Sequence, residues 1–410
     1  MIIAVEPQCR GMAHEQFNAA LLYGYCIAHP GEKVVFWAES EHIRHVGRIL
    51  DSAGLFPANL EFVEIEIPES KRLSKPGVMF AYCGMFMRVL NHAVEKQCNK
   101  VVFFSIYAYN LIPLKVLIHF FYKDRFILHV MMHGALDAVK LSNFSLPGVD
   151  QFAAFLKIIR EKFQWNNLKL PIKPSNKYLY EKLFKISLHL FGNDHIFYYV
   201  FRDGALAGVE RYLPNIRDRF RSIDLPYIFK DMPAAKTSSG RVVFATIGRG
   251  DIKAVRRVVN MLVNDLGVDG QRFEVRILGG GRFLPDLHPS IDHIGGGRIL
   301  SRAEIEEYIQ DVHYVLFFYD PNAYELTTSG AFFDAVAYCK PMIFLKNRCL
   351  DSYYQNYKFG YQCEDMNEMI VAMRNAMNSG DERYAGFCSE IRRMQADVSV
   401  HRNCYKLKFE

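Results

Sequence analysis

The sequence predicts an α/β protein built as two doubly wound domains in series. Two observations carry this. Short apolar runs alternate with segments of helical length over residues 1–134, and the same alternation restarts at Arg241. Strands alternating with helices of that length make parallel β-α-β units. Between the two series, DMPAAKTSSG (231–240) has the Pro, Ala, Ser and Gly content of a linker. The predicted organisation is a first domain over 1–230, a linker over 231–240, a second domain over 241–388, and a terminal segment over 389–410 that packs back on the first.

In the first series, IIAVE (2–6), KVVFWAE (33–39), FVEIEI (62–67), VVFFSI (101–106) and RFILHVMMHG (125–134) read as strands. Helices are expected near 14–28, 41–52, 81–96 and 111–122. A further strand is expected near 195–201. In the second series, RVVFATIGRG, FEVRILGGG, YVLFFYD and MIFLK read as strands, with helices near 251–266 and 302–310 and from Gly330. Asp251 is a candidate N-cap, and Ser301 with Glu304 matches the S-x-x-E capping box, a structural role.

Residues 150–192 break the alternation. Lys157, Arg160, Lys162, Lys169, Lys173, Lys177, Lys182 and Lys185 are interleaved with aromatic side chains there. The segment reads either as amphipathic helices with a solvated basic face or as a surface for anionic lipid headgroups or an anionic acceptor.

At 410 residues the chain can hold two cores of ordinary size. Its net charge of +6 is small for this length and argues against a dedicated nucleic-acid binder. The nine cysteines include no CxxC pair or zinc-spaced cluster, and their scatter suits reduced thiols. The opening MIIAVEP enters a strand directly, and charges interrupt the most apolar stretch, 101–132. The expectation is a cytoplasmic protein without a spanning helix, with peripheral contact at the inner face of the membrane left open.

Chemistry is concentrated in YVLFFYDPNAYELTTSGAFFDAVAYCKPMIFLK (314–346). A helix opening on Thr328, Ser329 and Gly330 beyond a strand's carboxyl end offers unpaired N–H groups and a positive dipole end, a phosphate site. Asp334 projects back over that first turn, where a carboxylate accepts hydrogen bonds from ribose hydroxyls. An ordinary helix between parallel strands, with Asp334 merely solvated, reads equally well from this segment alone. Around Gly248-Arg249-Gly250, the cations Lys253, Arg256 and Arg257 oppose the dipole of the helix they open. A diphosphate held by Arg249, Lys253 and the Gly330 helix resolves that conflict; exposed basic residues on a surface helix are the alternative. The runs 279–281 and 295–297 give no GxGxxG dinucleotide pattern and read as turns.

In order, Gly248, Arg249, Lys253, Gly279-Gly280, Ser329-Gly330, Asp334-Ala335 and Lys340-Pro341 resemble the donor domain of GT-B glycosyltransferases, most closely glycosyltransferase family 4. The resemblance is specific over about 241–346 and architectural over 1–230. It implies two Rossmann-like domains facing each other across a cleft that holds a sugar nucleotide. It also implies a hexosyl transfer with retention to a glycan or lipid-linked acceptor, as in surface polysaccharide assembly. Arg249 and Lys253 resemble the diphosphate-binding pair, Ser329 and Gly330 the small residues whose amides hold phosphate, and Asp334 the ribose-binding second acid of E-x7-E. Glu325 lies one residue out of register for the first acid, because eight residues separate it from Asp334. Arg10-Gly11 resembles the glycine loop near the diphosphate, and His133-Gly134 the family's catalytic histidine. No DxD triplet occurs, so no metal and no cofactor beyond the nucleotide-sugar donor is expected. A GT-B epimerase and a non-catalytic nucleotide- or glycan-binding partner are the alternatives.

Overall fold

The computed structural model describes residues 1–68, 75–132, 134, 136–141, 184–191, 195–229, 240–248, 251–280, 286–378 and 381–409. The proposed linker 231–240, apart from Gly240, and most of the basic segment 150–192 lie outside the described residues. Two compact units are present: 1–226 with 326–328 and 403–410, and 227–325 with 329–402.

Unit 1 is a seven-stranded parallel sheet in the order β3-β2-β1-β4-β5-β6-β7. Its strands are β1 (Ile2–Val5), β2 (Val34–Ala38), β3 (Leu60–Glu64), β4 (Lys100–Phe103), β5 (Ile127–Met131), β6 (Ile196–Val200) and β7 (Phe220–Ser222). β1 and β2 are buried along their whole length, as expected of a parallel sheet covered on both faces. The crossovers are α1 (Glu15–Ala28), α2 (Ser40–Ser52), α3 (Lys75–Glu95) and α4 (Ala108–Phe121), and α5 (Asp203–Tyr212) follows β6. In α2 the buried positions His42, Val46, Ile49 and Leu50 follow the helical period and turn one stripe to the sheet.

Unit 2 repeats the plan with six parallel strands in the order β10-β9-β8-β11-β12-β13. These are β8 (Val242–Ile247), β9 (Phe273–Leu278), β10 (Ile291–Ile294), β11 (Tyr314–Phe317), β12 (Met342–Leu345) and β13 (Gly360–Cys363). Its helices are α6 (Ile252–Asn264), α7 (Arg302–Ile309), α8 (Gly330–Ala337), α9 (Arg348–Tyr354), α10 (Met366–Asn378) and α11 (Asp381–Asp397), followed by the short turn α12 (Val400–Asn403). Ile252, Val255, Val258, Val259 and Leu262 turn one face of α6 into the core. Burying a side chain of this size contributes about 1.5–3 kcal/mol.

Both sheets therefore carry a 3-2-1-4-5-6 order, and strand order reverses at β1/β4 in unit 1 and at β8/β11 in unit 2. Ligands of open parallel sheets bind beyond the carboxyl ends of the strands at such a reversal. The nine cysteines are free. Among the described residues, no helix is long and apolar enough to cross a membrane.

Candidate donor-binding site

The switch point of unit 2 is built from backbone. β8 exits at Gly248, whose φ of 79° lies in the left-handed region that glycine tolerates. A Cβ added to Gly279, at the exit of β9, would stand 1.8 Å from the Gly248 carbonyl oxygen, so no larger residue fits there. A Cβ on Gly248 would meet the Cβ of Ala331 at 3.6 Å. The β8 exit thus lies against the first turn of α8.

Ser329 caps α8, accepting from the Phe332 N–H at 3.2 Å, and its hydroxyl also pairs with Tyr319 Oη at 2.7 Å. Such a cap stabilises a helix by about 1 kcal/mol. The N–H groups of Gly330 and Ala331 come too early in the helix for intrahelical partners. Neither has another hydrogen-bond partner among the described residues, and Gly330 is exposed. Two amides and the dipole end therefore point outward beside the β8 exit, where they favour an anion.

Asp334 lies one turn along α8, as the helical spacing requires. Its Oδ1 accepts from Arg302 Nη1 at 2.5 Å and from the Tyr227 hydroxyl, and Arg302 Nη2 reaches Tyr227 Oη at 3.1 Å. Burial works against the Arg302 charge, but Tyr227 and Asp334 outweigh it and hold the guanidinium protonated. Burial also pushes the Tyr227 phenol well above its usual range. Both bonds to Asp334 use Oδ1. Arg302 and Tyr227 were not found from the sequence, because nothing in spacing links positions 32 and 107 residues away from Asp334.

Lys253 lies in the first turn of α6, exposed beside Arg256 and Arg257 along a groove of about 540 Å³. The Asp251 cap expected from the sequence is present and accepts from the Ala254 N–H at 3.0 Å. Arg249 lies outside the described residues. Glu325 is buried and forms an ion pair with Arg348 at 2.8 Å. The capping box of α7 is present, with Ser301 and Glu304 bonded reciprocally.

Thr328 does not join Ser329 and Gly330 in unit 2. It belongs to unit 1 with Leu326 and Thr327, and its hydroxyl donates to the Phe201 carbonyl at 2.9 Å. Asp137 holds the same three-residue segment, accepting from the Leu326 N–H and the Thr327 hydroxyl, each at 2.9 Å.

The switch point of unit 1 is filled by the protein's own acid. Glu6 follows β1, is fully buried, and accepts from the N–H groups of Gln8 and Cys9, from Asn18 Nδ2 and from the Ser105 hydroxyl at 2.8–3.0 Å. Asn18 Nδ2 also donates to His42 Nε2 at 2.7 Å, and His42 Nδ1 donates to the Gly11 carbonyl at 2.8 Å. Gly11 has a φ of 51°, and its N–H donates to Glu39 at 3.3 Å. Glu6 was missed in the sequence, where its position at the end of a buried strand was the available signal. His133 lies outside the described residues, and Gly134 follows it with a φ of 76°.

No family model matches the chain, and no curated protein matches it. Solved structures do. Sucrose-phosphate synthase from Thermosynechococcus elongatus aligns with a TM-score of 0.62 at 11% identity, over 99% of this chain and 97% of that one. An S. aureus TarM variant in complex with fondaparinux, alpha-GlcNAc-glycerol and UDP gives 0.61 at 10% identity, over 99% and 98%. Anabaena HepE in complex with UDP-glucose gives 0.58 at 10% identity, over 99% and 97%. These are GT-B glycosyltransferases, and the chain has the GT-B fold. At such identities the likeness establishes fold alone.

Proposed function

We propose that this protein is a glycosyltransferase that takes a sugar from a nucleoside diphosphate sugar, with the diphosphate bound at the β8/β11 switch point of unit 2. The observation that carries the reading is the contact of the β8 exit with the first turn of α8, where the Gly330 and Ala331 amides have no partner among the described residues. Gly248 lets the backbone approach the phosphates, and Arg249 and Lys253 supply positive charge. Ser329 holds the helix end in place, and Asp334 accepts a ribose hydroxyl. The fold shared with HepE, crystallised with UDP-glucose, supports the same ligand class.

As the glycosidic bond breaks, negative charge gathers on the leaving diphosphate. Fixed cations and oriented amides stabilise that charge more in the transition state than in the ground state. The reaction on this reading is a retaining hexosyl transfer of the family 4 type that needs no metal. The remaining assignments are His133 and Glu325 at the transferred sugar. A glycan or lipid-linked acceptor in surface polysaccharide assembly, met at the inner face of a membrane, completes the proposal.

One observation favours a second reading. Glu325, which would face the sugar, is buried and neutralised by Arg348, as suits a non-catalytic nucleotide- or glycan-binding partner. Incubation with labelled nucleoside diphosphate sugars and an acceptor panel separates the two. Acceptor-dependent release of nucleoside diphosphate in the presence of a chelator supports metal-independent transfer. Tight nucleotide binding without turnover supports the partner, and isomer formed from donor alone marks an epimerase.

A further inference from the structure

Unit 1 holds a second pocket, unrelated to the donor site, where the chain's last residues meet β6 and β7. Parallel pairing sets Phe197 opposite His129 and Arg221 opposite Tyr199, so these four side chains share one sheet face. The terminal segment is held on the same unit: the Phe409 ring stacks on His129 at 3.8 Å between centroids, and His29 Nε2 donates to the Leu407 carbonyl at 3.4 Å. A pocket of about 510 Å³ remains beside this contact. That volume suits a small organic ligand.

Its charge is one-sided. Among the described residues, Arg217, Arg221, Lys406 and Lys408 line it against a single lining acid, Asp203. Asp224 lies behind Lys406 at 3.6 Å and neutralises it, so two positive charges stand in excess. Lys408 and Arg217 have no ion pair or side-chain hydrogen bond among the described residues, and Arg217 Nε is buried without a partner. A buried guanidinium donor left unmade costs free energy unless something occupies it. Arg221 Nη1 donates to the Asp218 and Phe220 carbonyls at 2.7 and 3.3 Å, and its guanidinium lies over the Phe197 ring at 5.1 Å. These contacts fix one arginine fork at the pocket. His129 adds no charge, because burial, with His29 and Arg221 nearby, holds it down to about 3.

We infer that this pocket is an anion site of unit 1 that takes a sugar phosphate. The phosphate lies between the Arg217 and Arg221 forks and Lys408, and the ring lies against Phe197 and Tyr199. Arginine forks match phosphate oxygens two at a time, which fits a doubly charged group better than a single carboxylate. Because Lys406 and Lys408 belong to the terminal segment, occupancy fastens 403–409 to β6 and β7.

The test is hydrogen exchange on the full chain with glucose 6-phosphate as probe, in saturating UDP so that the donor site is occupied. The expected result is slower exchange over 217–222 and 405–409. The doubly substituted Arg217→Ala/Lys408→Ala protein should weaken binding about tenfold or more, as loss of a charge-assisted contact predicts. Its melting temperature should not fall, since neither side chain has an ion pair or side-chain hydrogen bond among the described residues. No protection of these segments in the wild type overturns the inference, and so does protection that the double variant retains. Vesicles of phosphatidylcholine, with and without phosphatidic acid, form the second arm. Protection by the anionic vesicles alone, and none by glucose 6-phosphate, replaces the sugar phosphate with a lipid headgroup and overturns the assignment.

Discussion

The two sheets share a 3-2-1-4-5-6 order over six strands and have opposite chemistry at the point where that order reverses. At β1 the first residue past the strand is Glu6, and its carboxylate occupies the Gln8 and Cys9 amides. At β8 the corresponding residue is Gly248, packed against a helix end whose first two amides are unoccupied among the described residues. Donors already satisfied by an internal anion have little affinity for an external one. A Rossmann-like topology thus supplies the location of an anion site, and the residue at the strand exit decides whether the location is open. On this comparison the switch point of unit 2 is the proposed diphosphate site, and that of unit 1 is occupied by Glu6.

Gly279→Ala should have the largest effect. Its Cβ would overlap the Gly248 carbonyl, so the β8 and β9 exits must separate at a cost of about 3–5 kcal/mol. Urea melts should show this loss, and a loss under 1 kcal/mol would mean that the exit is not rigid. Arg249→Ala should lower transfer at least about a hundredfold, or roughly 2.7 kcal/mol, with an unchanged melt. Near-normal turnover would remove the diphosphate assignment.

Glu6→Gln sharpens the other half of the comparison. One acceptor oxygen becomes an amide facing donors that need it, and stability should fall by about 2 kcal/mol without a change in nucleotide affinity. Weaker nucleotide binding with unchanged stability would reverse the roles of the two units. Asp334→Asn should raise the donor KM about tenfold, or 1.4 kcal/mol, with a smaller effect on kcat.

The last effect appears only on acidification. His129 is buried in unit 1 with Tyr25, Tyr199 and Phe409 around it, and burial holds its folded pKa down to about 3, below the ordinary imidazole value of 6.5. The unfolded chain therefore binds the extra proton, so this contribution is complete above pH 6.5 and is lost as pH falls toward 3. The slope from one such group is at most about 1.4 kcal/mol per pH unit. His129→Gln should flatten acid unfolding in that window, and an unchanged profile would exclude His129 as its source.

Much of the fold was legible because long buried strands and stripe-patterned helices carry a period. β1, β2, β5, β6, β8, β9, β11 and β12 lie within the runs read as strands, β3 and β4 overlap theirs, and the Asp251 and Ser301 caps mark helix starts correctly. FRS, IDHI and GYQC were not read as strands, since three or four residues at a sheet edge are too few to show alternation. Residues 403–410 belong to unit 1 and α11 belongs to unit 2. At the candidate site, the placing of Ser329, Gly330 and Asp334 on one helix start was legible because they are close in sequence. The Arg302–Asp334–Tyr227 cluster and the Glu6 network were not, since each joins residues that only the folded sheet brings together.

The central claim is that the β8/β11 switch point, and not its β1/β4 counterpart, holds the diphosphate. Hydrogen exchange with and without uridine diphosphate and guanosine diphosphate tests it most directly. The account predicts protection over 329–334 and at the β8 exit, with 6–10 and 105–111 unchanged. Protection confined to 6–10 and 105–111, with none at 329–334, would contradict it.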